Sequence, residues 1–139
     1  MDTKYIPGDL VIYTSLIKDY IAEICEVYET SYLIGFMRRN SARVTSKEIK
    51  PIPLTPAILE RNGWDKEGKD GSVFSLSEAF MGGDKDDEDN YTCFQLYYQN
   101  KEDGWDIDMR GEPLKYEIHY VHELQHLFFG LGLDSSMIV

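Results

Sequence analysis

At Tyr120 the spacing of apolar residues changes from that of a strand to that of a helix. Leu114, Tyr116 and Ile118 alternate with Lys115, Glu117 and His119, which predicts a strand with one dry face. Beyond Tyr120, residues Val121, Leu124, Leu127, Phe128 and Leu131 fall on one helical stripe. A strand that runs straight into such a helix restricts the fold, because the stripe must press against the sheet the strand belongs to. The helix is expected over Tyr120–Leu131, closed by Gly130 and Gly132, with Met137-Ile138-Val139 returning as an edge strand.

The same helix spells His122-Glu123-Leu124-Gln125-His126, a match to the zinc-hydrolase pattern H-E-x-x-H. Histidines four apart share a helix face and can hold a metal together, and Glu123 would polarise the bound water as general base. The surrounding sequence argues against that chemistry. A catalytic zinc takes a third protein ligand, and among the 13 residues after His126 only Asp134 qualifies. The longer metzincin pattern fails, with Phe129 in place of glycine and Gly132 in place of the third histidine. His119 extends the series, but the switch from strand to helix turns it elsewhere. The histidine face also lies opposite the apolar stripe, so both imidazoles are expected to face solvent. The expectation is therefore a structural helix, with no cofactor, metal or catalytic site. His122 and His126 as ligands, with Glu123 as base, are the rival reading.

Composition narrows the function classes. The apolar fraction of 42% and aromatic fraction of 13% suit a folded globule. No run approaches the roughly 18 apolar residues that cross a bilayer. The opening MDTKYIPGD lacks the layout of a secretory signal, so a cytoplasmic protein is expected, without membrane association. Fourteen basic residues against 25 acids give a net charge of −11, which makes direct nucleic-acid binding a poor expectation. The sharper use of such charge is imitation of a nucleic acid to inhibit a DNA-processing enzyme. Cys25 and Cys93 form no C-x-x-C pair and are expected to be buried small hydrophobes.

Residues 1–52 read as a first unit. Pro7-Gly8-Asp9 is turn chemistry before the β-rich run Leu10–Tyr13. Leu16, Ile17, Tyr20, Ile21, Ile24, Cys25 and Tyr28 recur at helical spacing. The β-branched and aromatic content of Tyr20–Tyr28 and Tyr32–Met37, separated by Glu29-Thr30-Ser31, instead favours paired strands. Arg43–Thr45 and Ile49–Ile52 supply the closing strands. This order resembles small SH3-like or Tudor-like barrels. A Tudor domain cages a cation in aromatic rings. Here Arg38 and Arg39 stand among the expected cage positions and would repel a cation, so the architecture is expected without that ligand. Arg38, Arg39 and Arg43 read as a solvated hairpin edge.

Residues 53–139 read as an α+β unit. Thr55 and Pro56 start a short helix over 57–62, which Gly63 ends. Strands follow at 64–67, 72–76, 92–98 and 105–109. The acid-rich segment 84–89 reads as a solvated loop. Two near-matches to calcium loops fail on position. The first has Asp89 where glycine is needed, and the second has Arg110 at a ligand position and Pro113 at its pairing position. A hairpin turn at Met109–Pro113 explains the second.

Ile52-Pro-Leu-Thr-Pro-Ala-Ile-Leu-Glu-Arg-Asn-Gly-Trp64, with Tyr116–Leu131 later in the chain, resembles a family of small uncharacterised proteins of gut bacteria, their phages and mobile elements. Its pattern runs I-P-L-T-x-E-I-L-x-x-x-G-F and then Y-V-H-x-L-Q-x-L-x-F-x-L, often after a G-N/D-x-V opening like Gly8-Asp9-Leu10-Val11. Trp64 replaces the family's phenylalanine, and Ala57 its first-turn acid. The resemblance implies amides as common alternatives at Glu123 and His126, which favours a structural helix, and it implies no activity. The expected fold is α+β: an N-terminal SH3-like small β-barrel followed by an antiparallel sheet covered by a C-terminal helix. The expected role is non-enzymatic, that of an interaction or accessory protein of phage or mobile-element origin with a protein partner.

Overall fold

The structure, a computed structural model, describes residues 5–67, 72–79, 91–100, 104–109 and 112–139. Strands β1 (Leu10–Thr14), β2 (Asp19–Val27), β3 (Tyr32–Phe36), β4 (Asn40–Val44) and β5 (Ile49–Pro51) form one antiparallel sheet in the order β4-β3-β2-β1-β5. Helix α1 (Pro56–Arg61) leads to a second antiparallel sheet, ordered β10-β9-β8-β7-β6. Its strands are β6 (Asp65–Glu67), β7 (Val73–Ala79), β8 (Tyr91–Asn100), β9 (Gly104–Met109) and β10 (Glu112–Ile118), and helix α2 (Val121–Gly130) follows. The α+β class stands as expected. The first sheet is not closed into a barrel: β4 and β5 are its two edges, with no pairing between them among the described residues. The acid-rich segment 84–89, Arg110 of the second calcium near-match and the turn at 101–103 lie outside the described residues.

Residues 19–27 are strand, because pairing and burial follow a period of two. Ala22 and Ile24 are buried while Ile21 and Glu23 face out, and Ile21 sits opposite Ile12 of β1. The helical spacing of Leu16, Ile17 and Tyr20 is incidental, since Leu16 and Ile17 occupy the β1–β2 turn. A register shift between Ile24 and Glu26 makes Cys25 the extra residue of a bulge and pushes its thiol outward. Cys93 is also exposed, since Phe94 and Leu96 take the inner face of β8. The expected burial of both cysteines therefore does not hold. A second irregularity lies in β10, where the pairing register with β9 shifts between Pro113 and Glu117.

The described residues form two cores. One gathers Val11, Ala22, Ile24, Tyr32, Ile34 and Val44. The other stacks Trp64 on Phe128 at 6.3 Å, tilts Phe94 against Phe128 at 5.1 Å, and sets Phe74 edge-on to Trp105. Strand β1 serves both, sending Val11 and Tyr13 to the first core and Leu10 and Ile12 to the second. The proline-marked junction is itself paired. Val121 N–H donates to Ile52 O at 2.8 Å, Leu54 N–H to His119 O at 3.0 Å, and the Trp105 indole to Leu54 O at 3.1 Å. Ile52 and Leu54 bury their side chains in the second core.

Thr55 caps α1 by accepting Ile58 N–H at 3.3 Å, and Gly63 (φ +84°) ends it as expected. The chain end is not the edge strand anticipated from Met137–Val139. Asn62 takes the place of a pairing strand there: its amide donates to Ile138 O at 2.7 Å and its Oδ1 accepts Ile138 N–H at 2.8 Å. The same amide also reaches Ile58 O, so one side chain holds both the end of α1 and the tail. Asn62→Ala is expected to strip the Ile138 amide of its protection in hydrogen exchange and to lower stability by about 1 kcal/mol in urea titration.

Candidate functional site

Helix α2 lies between the two sheets. One side carries Val121, Leu124 and Phe128 into the second core. The other side, with His122, Gln125 and His126, meets the segment that leads into β1. His122 is only 2% exposed, and His126 keeps about a quarter of its side chain accessible. The expectation that both imidazoles face water is thus overturned. A single apolar stripe predicts solvent on the opposite side of the helix, whereas residues 5–10, leading into β1, cover that side.

Each polar side chain of the pentapeptide has a structural partner. The Glu123 carboxylate accepts the N–H groups of His119 and Tyr120, both at 3.0 Å, and so satisfies amides at the helix start that have no partner within the helix. Gln125 Oε1 accepts Leu10 N–H at 3.0 Å, while Nε2 donates to Gly8 O at 3.0 Å and Ser135 O at 3.1 Å. His126 Nε2 lies 2.6 Å from Asp9 Oδ2, and the same carboxylate oxygen accepts Ile6 N–H at 2.9 Å. His122 packs edge-on to Tyr5 at 5.0 Å and stacks on Tyr120 at 5.8 Å.

Burial shapes the electrostatics. It pushes the Asp9 carboxyl above its ordinary range, outweighing the Ile6 amide and His126, which both pull it down. It also lifts the Tyr5 phenol to about 12, helped by the neighbouring Tyr32, Asp9 and Tyr120. Asp134, the third ligand the sequence offered, is exposed and accepts Ser136 N–H at 2.9 Å, which lowers its pKa.

The zinc pattern therefore meets its spacing rule without its geometry. His122 and His126 do share a face, with ring centroids 5.4 Å apart. The nitrogen His126 would offer a metal is already at a carboxylate, and Glu123 faces the backbone at the helix start. Among the described residues, no three His, Cys, Asp or Glu side chains gather as a metal-holding group. Sequence reading did not find Asp9, which sits 117 residues from His126, or Gln125, one of the unspecified positions of the pattern. The Gly8-Asp9 turn was visible, but nothing in the sequence tied it to the last helix. An open cleft of about 300 Å³ lies beside Gln125, bounded by Gly8, Leu10, Glu23 and the tail at 135–137. No family model matches the chain, and neither the curated proteins nor the solved structures searched give a match. No helix is long and apolar enough to cross a membrane among the described residues.

Gln125→Leu strands one backbone N–H and two carbonyls, and is expected to cost about 3 kcal/mol in chemical denaturation. Asp9 supplies a pH test. A carboxyl raised in the folded state gives stability that is full below its unfolded pKa and is lost as pH rises through the folded one. Asp9→Asn is expected to flatten that descent across the acidic limb of a stability-against-pH curve measured by urea titration.

Proposed function

We propose that this chain is a non-enzymatic interaction protein, an accessory of a phage or mobile element that acts by binding another protein. The observation that carries the reading is the commitment of Glu123, Gln125 and His126 to architecture. One carboxylate caps the helix, one amide ties three backbone groups, and one imidazole faces a buried acid. The first sheet supports the reading at the level of architecture. We read this sheet, ordered β4-β3-β2-β1-β5, as an SH3-like barrel left open between β4 and β5. Small sheets of this kind serve as binding scaffolds through their turns, and here the turns expose Leu16, Ile17, Tyr28 and Met37.

Metal analysis on protein purified without added zinc, together with stability measurements, tests this reading. Wild type and His126→Ala are both expected to carry no stoichiometric zinc. Glu123→Ala is expected to lose about 1 kcal/mol by uncapping the helix. His126→Ala is expected to lose about 2 kcal/mol, because it leaves the Asp9 carboxylate buried without its partner. One zinc per chain, lost on the His126 substitution, would replace the proposal with a zinc-dependent hydrolase.

A further inference from the structure

The β1–β2 and β3–β4 turns lie at the same end of the first sheet, since β1 and β3 both run toward it. At the first turn Leu16 and Ile17 are 108% and 88% exposed, the extreme for large apolar residues here. This turn is held by Ser15, whose Oγ accepts the amides of Ile17 and Lys18 and donates to Lys18 O at 2.7 Å. At the second turn Met37 is also exposed, and it and Arg39 adopt φ of +55° and +68°. Glycine would take those angles without strain, so the turn keeps a thioether and a guanidinium at a conformational cost.

Aromatic rings lie between the turns. Phe36 sits 5.1 Å from both Tyr13 and Tyr20, and Lys18 Nζ lies 4.9 Å over the Tyr20 ring. A cation of the chain itself therefore already covers this ring face. The two turns are about two strand spacings apart, about 10 Å, which is close to the width of an α-helix.

Charge says what fits. Acids at this end are engaged, Asp19 with Lys50 at 3.8 Å and Glu48 with Thr45 N–H at 3.1 Å. Lys18, Arg38 and Arg39 remain exposed, and none of them is ion-paired to an acid among the described residues. Residues 1–52 hold seven of the 14 basic residues and seven of the 25 acids, so the whole net charge of −11 falls on residues 53–139. That charge disfavours an anionic bilayer, whose surface would repel the molecule as a whole. A protein segment needs to match only the local cations, because the screening length is about 8 Å.

We propose that these two turns form a docking surface for an acidic amphipathic helix of a protein partner. The apolar stripe of that helix covers Leu16, Ile17 and Met37, and its carboxylates pair with Lys18, Arg38 and Arg39. The proposal rests on the reading of the chain as a binding protein and names the surface and the chemistry of its partner.

The test titrates full-length ¹⁵N-labelled protein with two helical peptides that share a leucine stripe, one flanked by glutamates and one by lysines, and separately with phosphatidylserine vesicles. The glutamate peptide is expected to shift the amides of residues 15–18 and 36–39. Its affinity is expected to fall severalfold between about 50 mM and about 300 mM salt. A Leu16→Ser, Ile17→Ser double variant is expected to bind it at least about tenfold more weakly with an unchanged melting temperature, because neither side chain is buried. Equal binding of both peptides, shifts confined to other residues, vesicle binding, or self-association abolished by the same double variant would overturn the proposal. If the chain holds no zinc and ignores both peptides, this surface is refuted and the binding reading survives. If the chain holds zinc, the reading itself falls.

Discussion

A helix caught between two sheets must bury a polar side or lose one, and α2 buries it through Gln125. The side chain of Gln125 is a primary amide, with an acceptor and two donors, and its surroundings are backbone groups of both units: Leu10 N–H, Gly8 C=O and Ser135 C=O. A hydrocarbon there would leave those groups dry and unmatched, which costs more than the contact it would gain. The amide therefore fixes where the N-terminal segment enters β1 and where the C-terminal tail leaves α2. Asp9 and His126 add a second polar tie a few ångströms away. Together these contacts explain why the two ends of the chain meet at one helix.

The positions of the elements could be read from the sequence because they rest on local chemistry. Thr55-Pro56 and Gly63 bound α1, and the change of period at Tyr120 marks α2. The β-rich composition of residues 19–27 outweighed a misleading helical spacing there. Whatever depends on distant partners was not legible. A helix with one apolar stripe looks solvent-facing on its other side until a second sheet is known to cover it, and no pattern around Gly8-Asp9 announces that role. The exposure of Cys25 has no sequence signature for a related reason, because a bulge shifts the phase of a strand without marking the residue it displaces. The chain end is not a strand because the amide of Asn62 takes up the backbone groups of Ile138.

The pentapeptide His122–His126 shows how a catalytic pattern and a structural one can coincide. A zinc site and a helix wedged between sheets both want polar residues one turn apart on one face. They differ in where the lone pairs and N–H groups are directed. Here the glutamate turns back to the start of its own helix and the second histidine turns to an aspartate in the first unit. Spacing carries the shared requirement, and only the partners distinguish the two outcomes.

Strand β1 contributes alternate side chains to each hydrophobic core, and this has a thermodynamic consequence. The first core draws only on residues 5–49, whereas the second loses Leu10 and Ile12 if β1 is peeled away. The second unit should therefore not outlast the first as the protein melts, whichever probe follows it. Scission at the prolines would leave the first core's side chains on one fragment and strip Leu10 and Ile12 from the other.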